Sequence, residues 1–298
     1  MKTIIRFLAI FFLVVIAIGL VVGAIYLLSN QTNGQIISSG ERRRYLLYVP
    51  ENYNPELSTP LMINIHGFVQ WPANQMRVSQ WNELADKHGF IVVYPSGTGF
   101  PLRWRVSDEP EKEIAFFSDL ISKLEGEFNI DSSRIYANGL SNGGGMTMLL
   151  ACRLSERITA VGTVAGAFQS TCEDNSQQRP LPAIFFHGKV DPIVPFEGGE
   201  YEHFGIPFPN IPAYVASYAQ ENGCNPTPTT LLETGNVTGI QYSECNQDAD
   251  VVFYTIADGG HTWPGGSALP EWITGKTSQE IDATQLMWEF FQEYFLEP

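Results

Sequence analysis

At 298 residues, 44% of them hydrophobic, the chain suits one α/β domain with a sizeable core rather than two domains. A net charge of −15 argues against a nucleic-acid partner, which would select a basic face, and against tight adsorption on anionic membranes. No Cys or His pair shows metal-ligand spacing, so no metal is expected, and the chemistry read below calls for no organic cofactor.

The N-terminus is a separate element. Lys2 and Arg6 precede an uncharged run from Phe7 to Leu28, and these twenty-two residues at ~1.5 Å rise match a ~30 Å bilayer core. No small-x-small cleavage site follows, so residues 1–28 are expected to be an uncleaved signal anchor, with a removed signal peptide as the alternative. Positive charge at the front sends the domain outward, giving an extracellular location, secreted or membrane-anchored. Residues 29–40 are read as linker and first strand, and 41–298 as the catalytic domain.

Strands and helices then alternate, which implies a mostly parallel, doubly wound sheet with helices on both faces. Gln35 to Ser39 and Arg42 to Val49 pair across Gly40. Leu61 to Ile65 and Phe90 to Tyr94 follow, with a helix over Met76 to His88 between them. Ile114, Phe117, Leu120, Ile121, Leu124 and Phe128 recur at helical spacing and mark one buried face. Arg134 to Asn138 is a short strand, Met146 to Leu154 a helix, and Ile158 to Val164 the next strand. The run from Gly198 to Pro212, rich in Gly, Pro and aromatics, is expected to be a lid or substrate-shaping loop. Val251 to Ile256 is a late strand and Gln279 to Phe295 a closing helix.

In an exported chain the four cysteines can form disulfides. Cys224 and Cys245 flank two β-like runs, Thr229 to Glu233 and Gly239 to Ser243, so a bridge would pin a hairpin beside the Val251 strand. Cys152 and Cys172 would tie the Met146 helix to the loop before Asp191, unless Cys152 is a buried thiol.

Chemistry concentrates in Gly139-Leu140-Ser141-Asn142-Gly143. A serine on a tight strand-to-helix turn leaves little room for neighbouring side chains, hence glycine at both ends. Such a serine needs a base, and the base an orienting carboxylate. Ala183 to Asp191 is an apolar run ending in a polar turn, the pattern of a buried strand opening into a loop, which places Asp191 at the rim. His261 follows the Val251 strand within Gly259-Gly260-His261-Thr262-Trp263-Pro264-Gly265. His261 is expected to be the base and Asp191 the acid. The competitors are His203, with no strand ahead of it, and Asp258, only three residues from His261. The oxyanion hole needs two backbone N–H groups: one from Asn142, the other from Gly67 or Phe68 after the Leu61 strand. The His66 side chain is expected to buttress that loop by hydrogen bonds. Trp263 is expected to line the acyl or alcohol pocket or to stiffen the His261 loop by packing. Trp104, between Arg103 and Arg105, is expected to face the same cleft as a substrate-binding residue.

His66-Gly67, the Gly139–Gly144 elbow, His187-Gly188-x-x-Asp191 and the Gly259–Gly265 loop together resemble the polyhydroxybutyrate depolymerase-type esterases, which include feruloyl and acetylxylan esterases. Trp81-Asn82-Glu83-Leu84-Ala85-Asp86 and Gly89 to Pro95 extend the likeness, which runs from about residue 41 to the end. It implies an α/β-hydrolase fold and a serine esterase acting on polyhydroxyalkanoate oligomers or on feruloyl or acetyl esters of plant polysaccharide. Phe68 stands where many relatives carry cysteine, and Glu111-Lys112-Glu113-Ile114 replaces a more usual Asp-Asp-Val. The alternatives are a serine peptidase of the prolyl-oligopeptidase type, which lacks support because no long accessory domain precedes the elbow, and a non-catalytic binding module, which a degenerate triad would favour.

Overall fold

The computed structural model describes residues 2–29, 31–168, 179–201 and 206–296. After helix α1 (Lys2–Ser29) the chain builds a ten-stranded sheet and packs helices on both of its faces. Strands β1 (Gly34–Ser38) and β2 (Glu41–Tyr48) form an antiparallel hairpin, followed by β3 (Thr59–Ile65). Helices α2 (Pro72–Ser79) and α3 (Trp81–His88) lead to β4 (Ile91–Pro95), and α4 (Pro110–Glu127) leads to β5 (Ile130–Leu140). Helix α5 (Asn142–Arg153), β6 (Ala160–Val164) and β7 (Ala183–Gly188) continue the alternation. A small hairpin, β8 (Gly199–Tyr201) and β9 (Ile206–Phe208), precedes α6 (Ile211–Glu221). Strands β10 (Thr229–Thr234), β11 (Val237–Tyr242) and β12 (Val251–Ile256) and helices α7 (Glu271–Thr274) and α8 (Ala283–Phe291) complete the order.

The strand order is β1-β2-β4-β3-β5-β6-β7-β12-β11-β10. The centre, from β4 to β12, is parallel, and the two outermost strands on each side are antiparallel. The period-2 alternation of strand side chains divides the core in two. Leu61, Ile63, Ile65, Ile91, Val93, Ile135, Ala137 and Phe185 face α4, α5 and α6. Met62, Phe90, Val92, Tyr94, Tyr136, Ile184 and Phe186 face α2, α3 and α8. The chain passes from β3 to β4 on one side and then to β5 on the other, so the loops after β3 and β5 open side by side. Open α/β sheets build their sites at such a switch point.

Several sequence expectations are corrected. The single helix expected over Met76 to His88 is two, because Gln80 takes a left-handed φ of 58° and ends α2. The closing helix is shorter than expected: Asp282 caps it, accepting from Thr284 N–H (2.9 Å) and Gln285 N–H (3.1 Å). In the segment expected to be a lid, β8 and β9 pair antiparallel, while residues 202–205, including His203, lie outside the described residues. Among the described residues no helix is long and apolar enough to cross a membrane.

Cys224 and Cys245 are bonded, tying the end of α6 to the end of β11, as expected. Cys172 lies outside the described residues, and its expected bridge to Cys152 with it. With a sequence separation of 21, the Cys224–Cys245 link contributes about 3 kcal/mol in the chain-entropy model. Replacing both cysteines by alanine is expected to lower unfolding free energy by about that amount, measured in urea. An unchanged midpoint would contradict this role.

Candidate active site

Four loops, after β3, β5, β7 and β12, leave the carboxyl ends of the parallel strands, the first two at the switch point. β3 and β5 are in register, Ile65 opposite Gly139, so His66-Gly67-Phe68 and Ser141 leave the sheet together. Two glycines permit the approach. A Cβ on Gly143 would lie 2.2 Å from Ile65 O, and one on Gly139 would lie 2.4 Å from Gly143 O. Ser141 itself sits at φ 56°, ψ −120°, a conformation that L-residues avoid. Its backbone is held there on every side: its N–H donates to Val164 O (3.0 Å), and its carbonyl accepts from Gly145 N–H (3.0 Å) and Ala167 N–H (2.9 Å).

The adjacent strands β7 and β12 carry the other two residues. Asp191 Oδ2 accepts from His261 Nδ1 at 2.8 Å, and its Oδ1 accepts the N–H groups of Ile193 and Val194, each at 2.8 Å. Burial on its own would raise the Asp191 carboxyl. The charge and hydrogen bond of His261 more than offset it, so the group is held below the usual carboxylate range. His261 is tethered in turn, its N–H donating to Thr274 O at 2.5 Å while Gly260 N–H donates to Lys276 O at 2.9 Å. Nδ1 is therefore committed to Asp191, leaving Nε2 for a further partner. Among the described residues no hydrogen bond joins His261 to Ser141; such contacts commonly tighten only with substrate bound. The rival Asp258 is turned away, paired with Lys276 and Asn236.

His187, unassigned from sequence, is buried against the same carboxylate. Its Nε2 lies 3.0 Å from Val194 O and 3.5 Å from Asp191 Oδ2. Facing a carbonyl, Nε2 must carry the proton, and this bond fastens the turn that presents Asp191.

The β3 loop is also fixed. His66 Nε2 accepts from Gly97 N–H (2.9 Å), so its proton is on Nδ1, which donates to Gly67 O (2.7 Å). This is the buttressing expected from sequence. Val69, a β-branched residue, sits at φ 61° with its N–H on Leu102 O at 2.9 Å. Of the two residues expected to donate to an oxyanion, Gly67 has its N–H engaged by Gln70 Oε1 at 3.0 Å. Gln70 carried no signal in the sequence beyond its nearness to Gly67. A Cβ on Gly67 would be 3.4 Å from Ser141 Cβ, which shows how close this loop comes to the serine.

The two tryptophans expected to contact substrate do not line a cleft. Trp263 is 0% exposed and donates its indole N–H to Thr284 Oγ1 at 2.8 Å, so it packs the His261 loop onto α8. Trp104 is 1% exposed, its indole N–H on His66 O at 2.8 Å. An indole buried with its one donor satisfied is a packing element.

Comparison with known proteins identifies the family of the chain. The chain matches the family described as Esterase PHB depolymerase over residues 43–193, more than half its length. Feruloyl esterase C of Emericella nidulans is 26% identical over 271 residues, covering 88% of this chain and 85% of that protein. A bifunctional acetylxylan esterase/xylanase of Neocallimastix patriciarum is 25% identical over 228 residues, which cover 75% of this chain but only 31% of that larger protein. The structure of an acetyl xylan esterase from Aspergillus awamori superposes with a TM-score of 0.57 at 18% identity, covering 77% of this chain and 93% of that one.

Burial pushes His66 down to about 4 from an ordinary value of 6.5. The unfolded chain therefore binds a proton between pH 6.5 and about 4 that the folded chain does not. This contribution to stability is complete above pH 6.5 and is lost as pH falls toward 4, roughly 3 kcal/mol in all. His66→Gln is expected to flatten that part of the pH dependence in urea unfolding between pH 7 and 4.5. Equal slopes for the two proteins would show that His66 does not titrate this way.

Proposed function

We propose, on the premise that the chain belongs to the PHB depolymerase esterase family, that it is an exported serine esterase acting on feruloyl or acetyl esters of plant polysaccharide. The observation that carries this reading is the 2.8 Å bond from His261 Nδ1 to Asp191, made at the carboxyl ends of β7 and β12 in the same sheet whose β5 ends in a serine held at positive φ. Ser141 Oγ attacks the ester carbonyl while His261 Nε2 takes its proton. Asp191, kept ionised, fixes the tautomer and stabilises the imidazolium. The carbonyl oxygen becomes an oxyanion held by the N–H groups of Asn142 and of Gly67 or Phe68, and donation by Gly67 would require its N–H to leave Gln70 Oε1. The imidazolium protonates the departing alcohol, leaving an acyl-serine. Water, deprotonated by His261, then releases the acid and restores Ser141.

The relatives named for feruloyl and acetylxylan ester hydrolysis favour polysaccharide esters over polyhydroxyalkanoate oligomers. Export is supported by the Cys224–Cys245 disulfide, which persists in oxidising compartments, and by Lys2 and Arg6 ahead of the uncharged run.

A panel of methyl ferulate, aryl acetate, hydroxybutyrate oligomer and aminoacyl arylamide tests the assignment. Turnover of the first two is expected, abolished in Ser141→Ala and lowered about 10⁴-fold in kcat in Asp191→Asn. Arylamide hydrolysis without ester hydrolysis would point to a peptidase. Ester turnover surviving Ser141→Ala would overturn the serine mechanism.

A further inference from the structure

The residue that joins the two halves of the oxyanion site is Trp104. Its indole N–H donates to His66 O at 2.8 Å, on the segment leading to Phe68. Its backbone N–H donates to Asn142 Oδ1 at 2.7 Å, and Asn142 Nδ2 returns a bond to Trp104 O at 3.4 Å. One residue thus touches both chain segments whose N–H groups would hold the oxyanion, and it does so through different atoms.

Trp104 is itself immobilised. Its ring packs against His66 (centroids 5.0 Å apart) and Phe117 (5.3 Å). The loop around it is closed by reciprocal bonds between Thr98 and Arg103, both 3.0 Å. The next residue, Arg105, enters a buried ion cluster, with its Nε 2.6 Å from Glu113 Oε1 and its two terminal nitrogens on Glu41 at 3.1 and 2.9 Å. Arg43 completes the cluster, 2.7 Å from Glu113 Oε2 and 3.9 Å above the Phe116 ring. Breaking a buried pair of this kind leaves an uncompensated charge, so the loop has little freedom to shift.

We infer that Trp104 is a positioning residue that sets the spacing of the two oxyanion donors, the N–H of Asn142 and that of Gly67 or Phe68 on the segment after His66. The inference rests on the esterase function proposed above. Oxyanion donors act only when preorganised on the developing charge, and removal of one costs about 10²–10³ in kcat elsewhere. Loosening the bridge without deleting a donor should cost less, about tenfold to a hundredfold, and should leave ground-state binding alone.

The test is Trp104→Phe, which keeps an aromatic ring in the core and deletes the indole donor. Trp81→Phe is its control: Trp81 is 0% exposed and also donates its indole N–H, to Asn138 Oδ1 at 3.1 Å, but touches neither donor segment. Trp104→Phe is expected to lower kcat about tenfold to a hundredfold with KM within about twofold, and to weaken a boronic acid inhibitor by the same factor as kcat. Trp81→Phe should lower stability while kcat stays within about twofold. Asn142→Ala, which removes the other side of the bridge but keeps the backbone N–H, should repeat the kcat-selective loss, and combined with Trp104→Phe should cost less than the product of the two. It also carries the test should Trp104→Phe fail to fold. An unchanged kcat in either variant, a change confined to KM, or an equal loss in Trp81→Phe would overturn the inference. A wild type no faster than Ser141→Ala would instead remove the esterase function itself, and the positioning role with it.

Discussion

The parallel pairing of β3 with β5 is the contact on which the site depends, and it leaves no room for a side chain at position 143. Ile65 stands opposite Gly139, and Gly143 turns its bare Cα toward the carbonyls of Ile65 and His66. Alanine at 143 would force the elbow away from the β3 loop by more than an ångström, separating the serine from its partner donors. Behind the same two strands a polar cluster reinforces the register. Asn64 bonds Asn138, and Ser79 Oγ donates to Asn64 Oδ1 (2.9 Å). Every member is buried and partnered, so a slip of one residue would strand several polar groups in the core.

Electrostatics divides the work around this frame. Asp191 stays ionised because His261 and two backbone N–H groups outweigh its burial. His66, equally buried but with no carboxylate beside it, stays neutral and serves as a hydrogen-bonded spacer between the Gly67 and Gly97 loops. Two imidazoles thus take opposite tasks because their second partners differ. The charged cluster of Arg43, Glu113 and Arg105 lies one layer further back and fixes the loop that carries Trp104.

Much of this was legible in the chain. The elbow pentapeptide, the apolar run ending at Asp191 and the glycine-flanked His261 each paired a strand pattern with a turn, and the sheet order brought their ends together. Less legible was anything set by packing across elements. Trp104 and Trp263 lie beside polar and glycine residues that suggest a cleft, yet both indoles are satisfied inside the core. Arg42-Arg43-Arg44 looks like a solvated charge run, but β2 alternates, and the face that buries Tyr45 also buries Arg43. Gln80 broke a helix whose apolar spacing continues across it. The alternation of β2 was a usable signal. The partner awaiting Arg43, Glu113, came from a helix seventy residues away in sequence and was not.

The central claim is that Ser141 is a nucleophile activated by His261. It is tested most directly by reacting the folded protein with a fluorophosphonate and mapping the adduct by peptide mass spectrometry. The account predicts one adduct, on Ser141, formed at least a hundredfold more slowly in His261→Gln, as expected when a nucleophile loses its base. No adduct on Ser141 in the folded wild type, or labelling unaffected by loss of His261, would contradict it.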